Sequence, residues 1–451
     1  MRKVRIGSGA GFGGDRIEPA LDLIRDGDIQ YIGFECLAER TIAIAHEQML
    51  KNPKKGYNEF LEYRMSRILP LFLTGKCKVI TNMGAANPRM AAILIKNMAA
   101  DLGLKGLKIA VISGDDILDK ISRYGALEIL ETGEKLESIS ERIISANAYI
   151  GAEGIVTALG EGADIVIGGR IADPALFLAP LMYGFGWKTN DYDRIGKGIL
   201  VGHLLECASQ VMGGYFADPG YKDVPDLWKI GFPIAEVDEN GEIVITKLSS
   251  AGGMVTSATV KEQIIYEIHD PRSYFTPDGV ADYSEVCVEE IGKDRVAVRG
   301  ARGRAGNGHL KVSVGYKDSY IGEGEISYGG PGAYDRAVLA GEIIRKRLDF
   351  LKTPLEELRI DYIGVNSLYK DQLSDRLNDK CRESTDVRLR VAARTKMKED
   401  AEIIGNEVEA LYLNGPAGGG GAWKNARDVV AVASILIPKE HISIGVDILE
   451  V

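Results

Sequence analysis

The sequence of 451 residues has few cysteines and no long uninterrupted apolar run. Its five cysteines are widely spaced and include no Cys-X-X-Cys pair, which argues against a disulfide framework or a zinc knuckle. No stretch approaches the roughly 20 apolar residues of a membrane-spanning helix, and the N-terminus lacks the apolar segment of a secretory signal. We therefore expect a soluble, cytoplasmic protein that does not contact a membrane.

Positive charge is also scarce. The chain has 55 Lys and Arg against 65 Asp and Glu, a formal net charge of -10. A protein that binds the phosphate backbone of nucleic acids needs a basic surface, so nucleic acid is not expected as a partner. The sequence contains no Gly-X-Ser-X-Gly elbow, no Walker signature and no recognised spacing of metal ligands, so no metal site is predicted.

The first half alternates short apolar runs with amphipathic stretches. Candidate strands are 4–7, 31–35, 78–82, 108–114 and 164–169, with helical periodicity between them. This pattern predicts an α/β fold with a mostly parallel, Rossmann-like sheet flanked by helices, with an eight-stranded barrel as the alternative. We expect three regions: an α/β domain over 1–230, a β-rich middle region with a closing helix over 231–352, and a smaller C-terminal α+β domain with a glycine loop over 353–451.

The stretch GSGAGFGGDR, residues 7–16, follows the first strand and has three interpretations. Residues 9–14 match the Gly-X-Gly-X-X-Gly dinucleotide fingerprint, with Glu35 at the end of the next strand. Asp15 argues against it, because a carboxylate repels a phosphate at that position. The alternatives are a purely structural turn and a loop that lines a substrate site. Substrate contacts near this loop are predicted for Gly11, Gly13, Gly14, Arg16, Glu35 and Asn82.

The stretch GADIVIGGRIADPAL places Arg170 and Asp173 just past the carboxyl end of a buried strand. In open α/β sheets ligands bind there, and an Arg and Asp pair can hold a carboxylate and move a proton. The alternative is a salt bridge, with Asp173 as the N-cap of the following helix.

Histidine gives one further candidate. His203 and Glu206 are three residues apart in GHLLECASQVMGGYF, on one predicted helical face, where they could act as a base and its orienting acid. A polar stripe packed against another element is the alternative. By contrast, His46 in AIAHEQ is expected on a helix face in contact with water.

A last glycine loop, LNGPAGGGGAW, follows an apolar run near the C-terminus. Four consecutive glycines can present successive backbone N–H groups to an anion. We predict substrate contacts for Asn414, Gly418, Gly419, Gly420 and Gly421.

Several segments together resemble the acyclic terpene utilisation family, the AtuA-like proteins, over nearly the whole chain. They are GSGAGFGGDR, AYIGAEGIVTALGEGADIVIGGRIADPALFLAPL, GHLLECASQVMGGYF, GGMVTSATVKEQIIYEIHDP and LNGPAGGGG. The resemblance implies a catabolic protein associated with branched acyl-CoA thioesters or related carboxylic acids. It carries no residue roles onto this chain.

The leading hypothesis is a cytoplasmic, cofactor-independent hydratase or dehydratase, a lyase acting on a small branched or unsaturated carboxylic acid or its CoA thioester. Arg170 would hold a carboxylate, Asp15 or Asp173 with His203 would exchange a proton, and the glycines at 418–421 would bind an oxyanion. One alternative is an NAD(P)-linked oxidoreductase that uses residues 9–14. Another is a non-catalytic subunit with a small partner protein. A homo-oligomer is expected in each case.

Overall fold

The computed structural model describes residues 2–73, 75, 77–370, 374 and 384–451. The α-helices that it bounds are α1 Glu18–Asp26, α2 Glu39–Lys51, α3 Leu61–Ile68, α4 Pro88–Asp101, α5 Glu153–Gly160, α6 Ala175–Phe185, α7 Tyr192–Leu205, α8 Ser257–Ile265, α9 Ala333–Leu351 and α10 Lys398–Asn414. The β-strands that it bounds are β1 Lys3–Ala10, β2 Tyr31–Phe34, β3 Lys78–Thr81, β4 Lys108–Ser113, β5 Ile143–Ala148, β6 Ile165–Ile167, β7 Ile234–Asp238, β8 Ile243–Thr246, β9 Tyr274–Thr276, β10 Gly279–Asp282, β11 Cys287–Gly292, β12 Arg295–Arg299, β13 Arg302–Arg304, β14 His309–Gly329, β15 Glu357–Ile363, β16 Asp386–Thr395, β17 Gly419–Pro438 and β18 Gly445–Glu450.

The chain folds into two compact units. The first comprises Met1–Gly315 and Val432–Val451, and the second comprises Tyr316–Ala431. The chain enters the second unit within β14 and leaves it within β17. The predicted boundaries near residues 230 and 352 follow the composition of the chain, and they stay a prediction.

The first unit contains a ten-stranded sheet in the order β11-β12-β8-β7-β1-β2-β3-β6-β4-β18. Strands β1, β2, β3, β6 and β4 are parallel neighbours and correspond to the predicted strands. The remaining strands pair antiparallel at both edges. The α/β class is confirmed, but the whole sheet is mixed rather than mostly parallel. The Rossmann-like arrangement stays a prediction.

The sequences of the parallel strands are almost continuously apolar because both faces of these strands are buried. Ile6, Ile32, Ile80, Ile109 and Val166 are each fully buried at 0% exposure. Helices α1, α3 and α4 supply side chains to the core cluster that includes β2 and β3. Within the described residues, none of the helices is both long and apolar enough to cross a membrane.

A β-hairpin lies near residue 240. Strands β7 and β8 pair antiparallel, and Gly241 in the connecting turn has φ of +78°, a conformation that favours glycine. Because β7 also pairs with β1, this hairpin extends the main sheet. The β-rich middle of the sequence therefore contributes strands to the same sheet as the N-terminal region.

Over its described residues, the second unit has the element order β14-α9-β15-β16-α10-β17 and the strand order β15-β16-β14-β17. This is the βαββαβ arrangement of ferredoxin-like folds. Apolar side chains of α9 and α10, such as Ile344 and Ile404, form one core cluster with Ile326, Leu389 and Val391 of the strands.

Candidate active site

A cavity of about 1150 Å³ lies in the first unit. Its wall includes Gly11 after β1, Glu35 after β2, and both Arg170 and Asp173 after β6. Glu206, which follows α7, is also in the wall. Open α/β sheets bind ligands at the carboxyl ends of their parallel strands. The fold therefore brings five of the predicted site residues to one cavity.

Within the glycine loop after β1, a main-chain N–H group is hydrogen-bonded to the side chain of Asp15. The N–H of Gly11 donates to Oδ2 of Asp15 at 2.9 Å, and Arg64 donates to the main-chain oxygen of Asp15 at 2.9 Å. A Cβ atom on Gly11 would lie 2.7 Å from the carbonyl carbon of Cys207, so this position needs glycine for close packing. The N–H group that a dinucleotide phosphate would use is thus already bound by a carboxylate.

Replacing Gly11 with alanine should lower the free energy of unfolding by about 1 to 3 kcal/mol, because the new methyl group overlaps a main chain that cannot move freely. Urea denaturation measures the change. The matched control is Gly160→Ala, where a Cβ atom would meet nothing within 4 Å. Equal stability of the Gly11→Ala and Gly160→Ala proteins would contradict the packing argument.

Glu35 is fixed at the cavity wall through one carboxylate oxygen. Its Oε1 accepts from the N–H of Leu37 at 2.8 Å and from Nδ2 of Asn82 at 3.1 Å. Asn82 follows β3, and its Oδ1 accepts from the N–H of Cys36 at 2.7 Å. Burial raises the pKa of Glu35, and the hydrogen bonds from Leu37 and Asn82 oppose that rise.

Arg170 lies beneath the cavity with its side chain only 3% exposed. Its NH1 group donates to the main-chain oxygen of Leu37 at 2.9 Å and to Asp173 at 3.2 Å, and NH2 lies 3.1 Å from Glu39. The guanidinium carbon is 4.3 Å from the ring centroid of Tyr149. The contact between Arg170 and Asp173 that was considered as an alternative is therefore present. The N-cap position of Asp173 is wrong, because Pro174 is the N-cap of α6.

The carboxyl groups around this guanidinium differ in their pKa values. Burial, and next the charge of Glu35, raise the pKa of Asp173 well above its usual value, although Arg170 opposes the rise. Burial would also raise the pKa of Glu39, but Arg170 and Lys311 lower it overall. Asp173 therefore keeps its proton under conditions in which Glu39 is ionised. Neighbouring carboxyl groups with separated pKa values are a common arrangement for acid–base chemistry.

His203 and Glu206 form a hydrogen-bonded pair. Nε2 of His203 lies 3.2 Å from the carbonyl oxygen of Ile264, and because a carbonyl only accepts, Nε2 carries a proton. Nδ1 lies 2.9 Å from Oε1 of Glu206, so one further proton is shared between the ring and the carboxyl group. Glu206 lines the cavity, whereas His203 is buried behind it. The pair was predicted, but with the histidine rather than the glutamate facing the substrate.

Two tyrosines of the cavity wall were missed by sequence reasoning. Tyr149 follows β5, and its hydroxyl oxygen accepts from the N–H of Asp173 at 3.0 Å. Burial, and next the charge of Asp173, raise the pKa of Tyr149 well above its usual value, so it remains a phenol. The ring of Tyr274 lies 5.3 Å from the ring of His203. No signal marked Tyr149, because AYIGAEG resembles the start of a helix.

A series of hydrogen-bonded polar side chains behind Arg170 was also not predicted from the sequence. Asp115, just after β4, accepts at Oδ2 from the N–H of Arg170 at 2.9 Å and from Nδ2 of Asn147 at 3.0 Å. Oδ1 of Asn147 lies 2.9 Å from Nε2 of His46, which is 2% exposed. The solvent-facing position predicted for His46 is therefore wrong. A usable signal existed, since Asp115 directly follows a predicted strand.

Replacing Asp115 with alanine should lower the free energy of unfolding by about 1 to 3 kcal/mol, because two buried N–H donors lose their acceptor. Asp115→Asn keeps an amide oxygen at the same place and should lose less than about 1 kcal/mol. Denaturant unfolding compares the two. Equal losses in both variants would mean that the charge of Asp115, rather than its hydrogen bonds, stabilises the site.

The remaining predicted residues lie elsewhere. Gly13, Gly14, Asp15 and Arg16 are not in the described cavity wall, and Arg16 borders a second cavity of about 370 Å³. Asn414 ends α10 and Gly419 begins β17, both in the second unit. No residue of the 414–421 loop is in the described wall, so its predicted contact with the substrate stays a prediction that this cavity does not support.

The cysteine thiols near this site are poor nucleophiles, and the described residues contain no candidate metal-binding group. Burial raises the pKa of the Cys36 thiol to about 12, and burial with the charge of Glu206 raises the pKa of Cys207, so both are weak nucleophiles. Among the residues that the structure describes, no group of three or more His, Cys, Asp or Glu could hold a metal ion. Cys381 lies outside the described residues.

Comparison with known proteins gives a family. No curated protein and no solved structure matches the chain. A family model described as acyclic terpene utilisation family protein AtuA matches residues 4–448. That range includes the described wall of the cavity. The chain belongs to the acyclic terpene utilisation family.

Proposed function

We propose that this protein is a hydro-lyase that adds water to, or removes it from, a small unsaturated carboxylic acid or its thioester. The observation that carries the proposal is the group of carboxyl side chains at the wall of one cavity, Glu35, Asp173 and Glu206, in which burial raises the pKa of Asp173. Water addition to a double bond conjugated to a carbonyl needs one acid and one base on the same substrate. The name of the family makes branched, terpene-derived acyl groups the first substrates to test.

In the proposed reaction Glu206 is the base and Asp173 is the acid. The Glu206 carboxylate takes a proton from water, and the water oxygen bonds to the β-carbon of the substrate. The electrons of the double bond move towards the carbonyl and form an enolate. Asp173 then gives its proton to the α-carbon, which completes the hydrated product. His203 supports Glu206 through the 2.9 Å contact between Nδ1 and Oε1, and Oε2, which is buried, has no hydrogen-bond partner among the described residues.

Arg170 has a supporting role in this mechanism. Its contacts with Asp173, Glu39 and Leu37 orient the acid and balance the negative charge that develops when Asp173 gives up its proton. This replaces the expected role of holding a substrate carboxylate, since the guanidinium already contacts two carboxyl groups of the protein.

The oxidoreductase alternative has less support. Its fingerprint needs free N–H groups at residues 9–14, whereas the N–H of Gly11 donates to Asp15. Glu35, the expected partner of a ribose hydroxyl, is held by Asn82 and Leu37. A non-catalytic subunit remains the other alternative, and cytoplasmic location and homo-oligomer formation remain part of the proposal.

The test is an assay of water addition over a panel of straight and branched enoyl acids and their thioesters. Loss of the conjugated ultraviolet absorbance reports the reaction, and in heavy water the product should carry one deuterium on the α-carbon. Turnover by the wild type that is lost in Asp173→Asn but kept in the exposed control Asp193→Asn would support the proposal. No water addition by the wild type on any member of the panel would overturn it.

A further inference from the structure

The acid–base end of the cavity carries more carboxyl groups than cations. Glu35, Glu39, Asp173 and Glu206 line this end together with Arg170. Another cation of the wall, Lys311, lies 3.4 Å from Glu39 and is thus already paired. A substrate carboxylate at this end would meet these carboxyl groups and lose part of its hydration, which costs binding energy.

Arg170 is not available to offset that cost. Both protons of NH1 are directed to protein oxygens, those of Leu37 and Asp173, and NH2 faces Glu39. The side chain is 3% exposed, and the ring of Tyr149 covers one face of the guanidinium at 4.3 Å. The Nε–H group of Arg170 has no hydrogen-bond partner among the described residues, but Nε is buried, so a negatively charged substrate group would reach the guanidinium by displacing Asp173 or Glu39.

Tyr149 offers a neutral hydrogen-bond donor at the same place. Its hydroxyl oxygen accepts from the N–H of Asp173 at 3.0 Å, which fixes the oxygen beside the proposed acid. The hydroxyl proton has no acceptor among the described residues, and Tyr149 lines the cavity. A phenol hydroxyl beside a cation suits a neutral carbonyl oxygen that gains negative charge as an enolate forms.

We infer that the cavity takes its substrate as a neutral acyl carbonyl, in a thioester or an ester, which accepts a hydrogen bond from the Tyr149 hydroxyl, and that it discriminates against the free carboxylate. The inference rests on the proposed acid–base chemistry and narrows its substrate class. It also assigns to Tyr149 the oxyanion-binding role that sequence reasoning gave to the glycines at 418–421.

The test compares three ligands with the same acyl group: crotonyl N-acetylcysteamine thioester, ethyl crotonate and crotonate. Calorimetry at neutral pH should give at least about tenfold tighter binding of the thioester and the ester than of crotonate. Tyr149→Phe keeps the ring beneath Arg170 and removes only the hydroxyl. It should weaken thioester and ester binding about three- to tenfold and leave crotonate binding unchanged.

The matched control is Tyr63→Phe. Arg67 lies over the ring of Tyr63 at 3.7 Å, as Arg170 lies over Tyr149, but Tyr63 is exposed to solvent. It should change none of the three affinities. Crotonate binding as tight as thioester binding, failure of all three to bind, or neutral ligands unaffected by Tyr149→Phe would each overturn the inference. Tyr149-dependent binding of the neutral ligands without turnover would leave this inference standing and count against the proposed hydration alone.

Discussion

Replacing Arg170 with methionine should lower the free energy of unfolding at neutral pH by about 2 to 4 kcal/mol. Removing one member of a buried ion pair leaves the other charge poorly compensated, and the buried Arg170 lies 3.1 Å from Glu39, whose other cationic neighbour, Lys311, is 3.4 Å away and more exposed. The expected loss lies below the roughly 3 to 5 kcal/mol of a fully buried pair. The reason is that the side chain of Glu39 keeps 38% exposure, so it retains some hydration, and it also keeps Lys311 as a partner.

The matched control is Arg194→Met. Arg194 pairs with Asp191 at 2.7 Å with the same i,i+3 spacing, but the arginine is 43% exposed. That substitution should cost less than about 1 kcal/mol. Equal losses for Arg170→Met and Arg194→Met in urea denaturation would show that the charge beneath the cavity is not a stabilising element.

The difference between wild type and Arg170→Met should also shrink in acid. Arg170 lowers the pKa of Glu39 in the folded protein, so the stabilisation from this pair is present above the unfolded value of a glutamate, about pH 4, and is lost as pH falls through the lowered folded value. Unfolding curves over a series of acidic pH values measure this. A difference that stays constant with pH would contradict the ion-pair account.

Replacing Asp173 with asparagine or Glu206 with glutamine should each lower kcat/KM by about 10²- to 10⁴-fold on the substrate found by the hydration assay. Both amides keep the shape of the side chain but neither can transfer the proton that its role requires. The melting temperatures should change little, which separates a loss of chemistry from a loss of fold. Full activity in either amide variant would remove that residue from the mechanism.

The pH profile should distinguish the two roles. The acid must be protonated to act, and Asp173 has a raised pKa, so kcat/KM should fall as pH rises through that raised value. The base must be ionised, so kcat/KM should also fall at low pH. In Asp173→Asn the alkaline limb should disappear from the residual activity. Its persistence would assign the proton donor to another group.

Much of the site follows from one rule about strands. Glu35 and Asn82 directly follow β2 and β3, and Arg170 and Asp173 lie three and six residues after the end of β6. Parallel strands align their carboxyl ends at one sheet edge. The sequence therefore predicts their proximity without any knowledge of long-range contacts. Asp115 obeys the same rule and could have been found by applying it to the run before it.

The rest depends on contacts between distant segments. The antiparallel edges of the main sheet come from β7, β8, β11, β12 and β18, and no local pattern specifies that they join β1 and β4. Tyr149 joins the site because its hydroxyl accepts from the N–H of Asp173, 24 residues along the chain. Asp15 shows the reverse: its position beside the glycines predicted chemistry, but its side chain is used to hold the loop.

The central claim is that Asp173 is a carboxylic acid at neutral pH. Infrared spectra of protein labelled with ¹³C-aspartate, recorded for wild type and Asp173→Asn, test it without any substrate. We expect the carbonyl band of a protonated carboxyl group in the wild type at neutral pH and its loss in the variant. An ordinary aspartate has a pKa of about 4 and would be ionised at that pH. Identical spectra of the two proteins in that region at neutral pH would mean that Asp173 is ionised, and they would contradict the proposed acid.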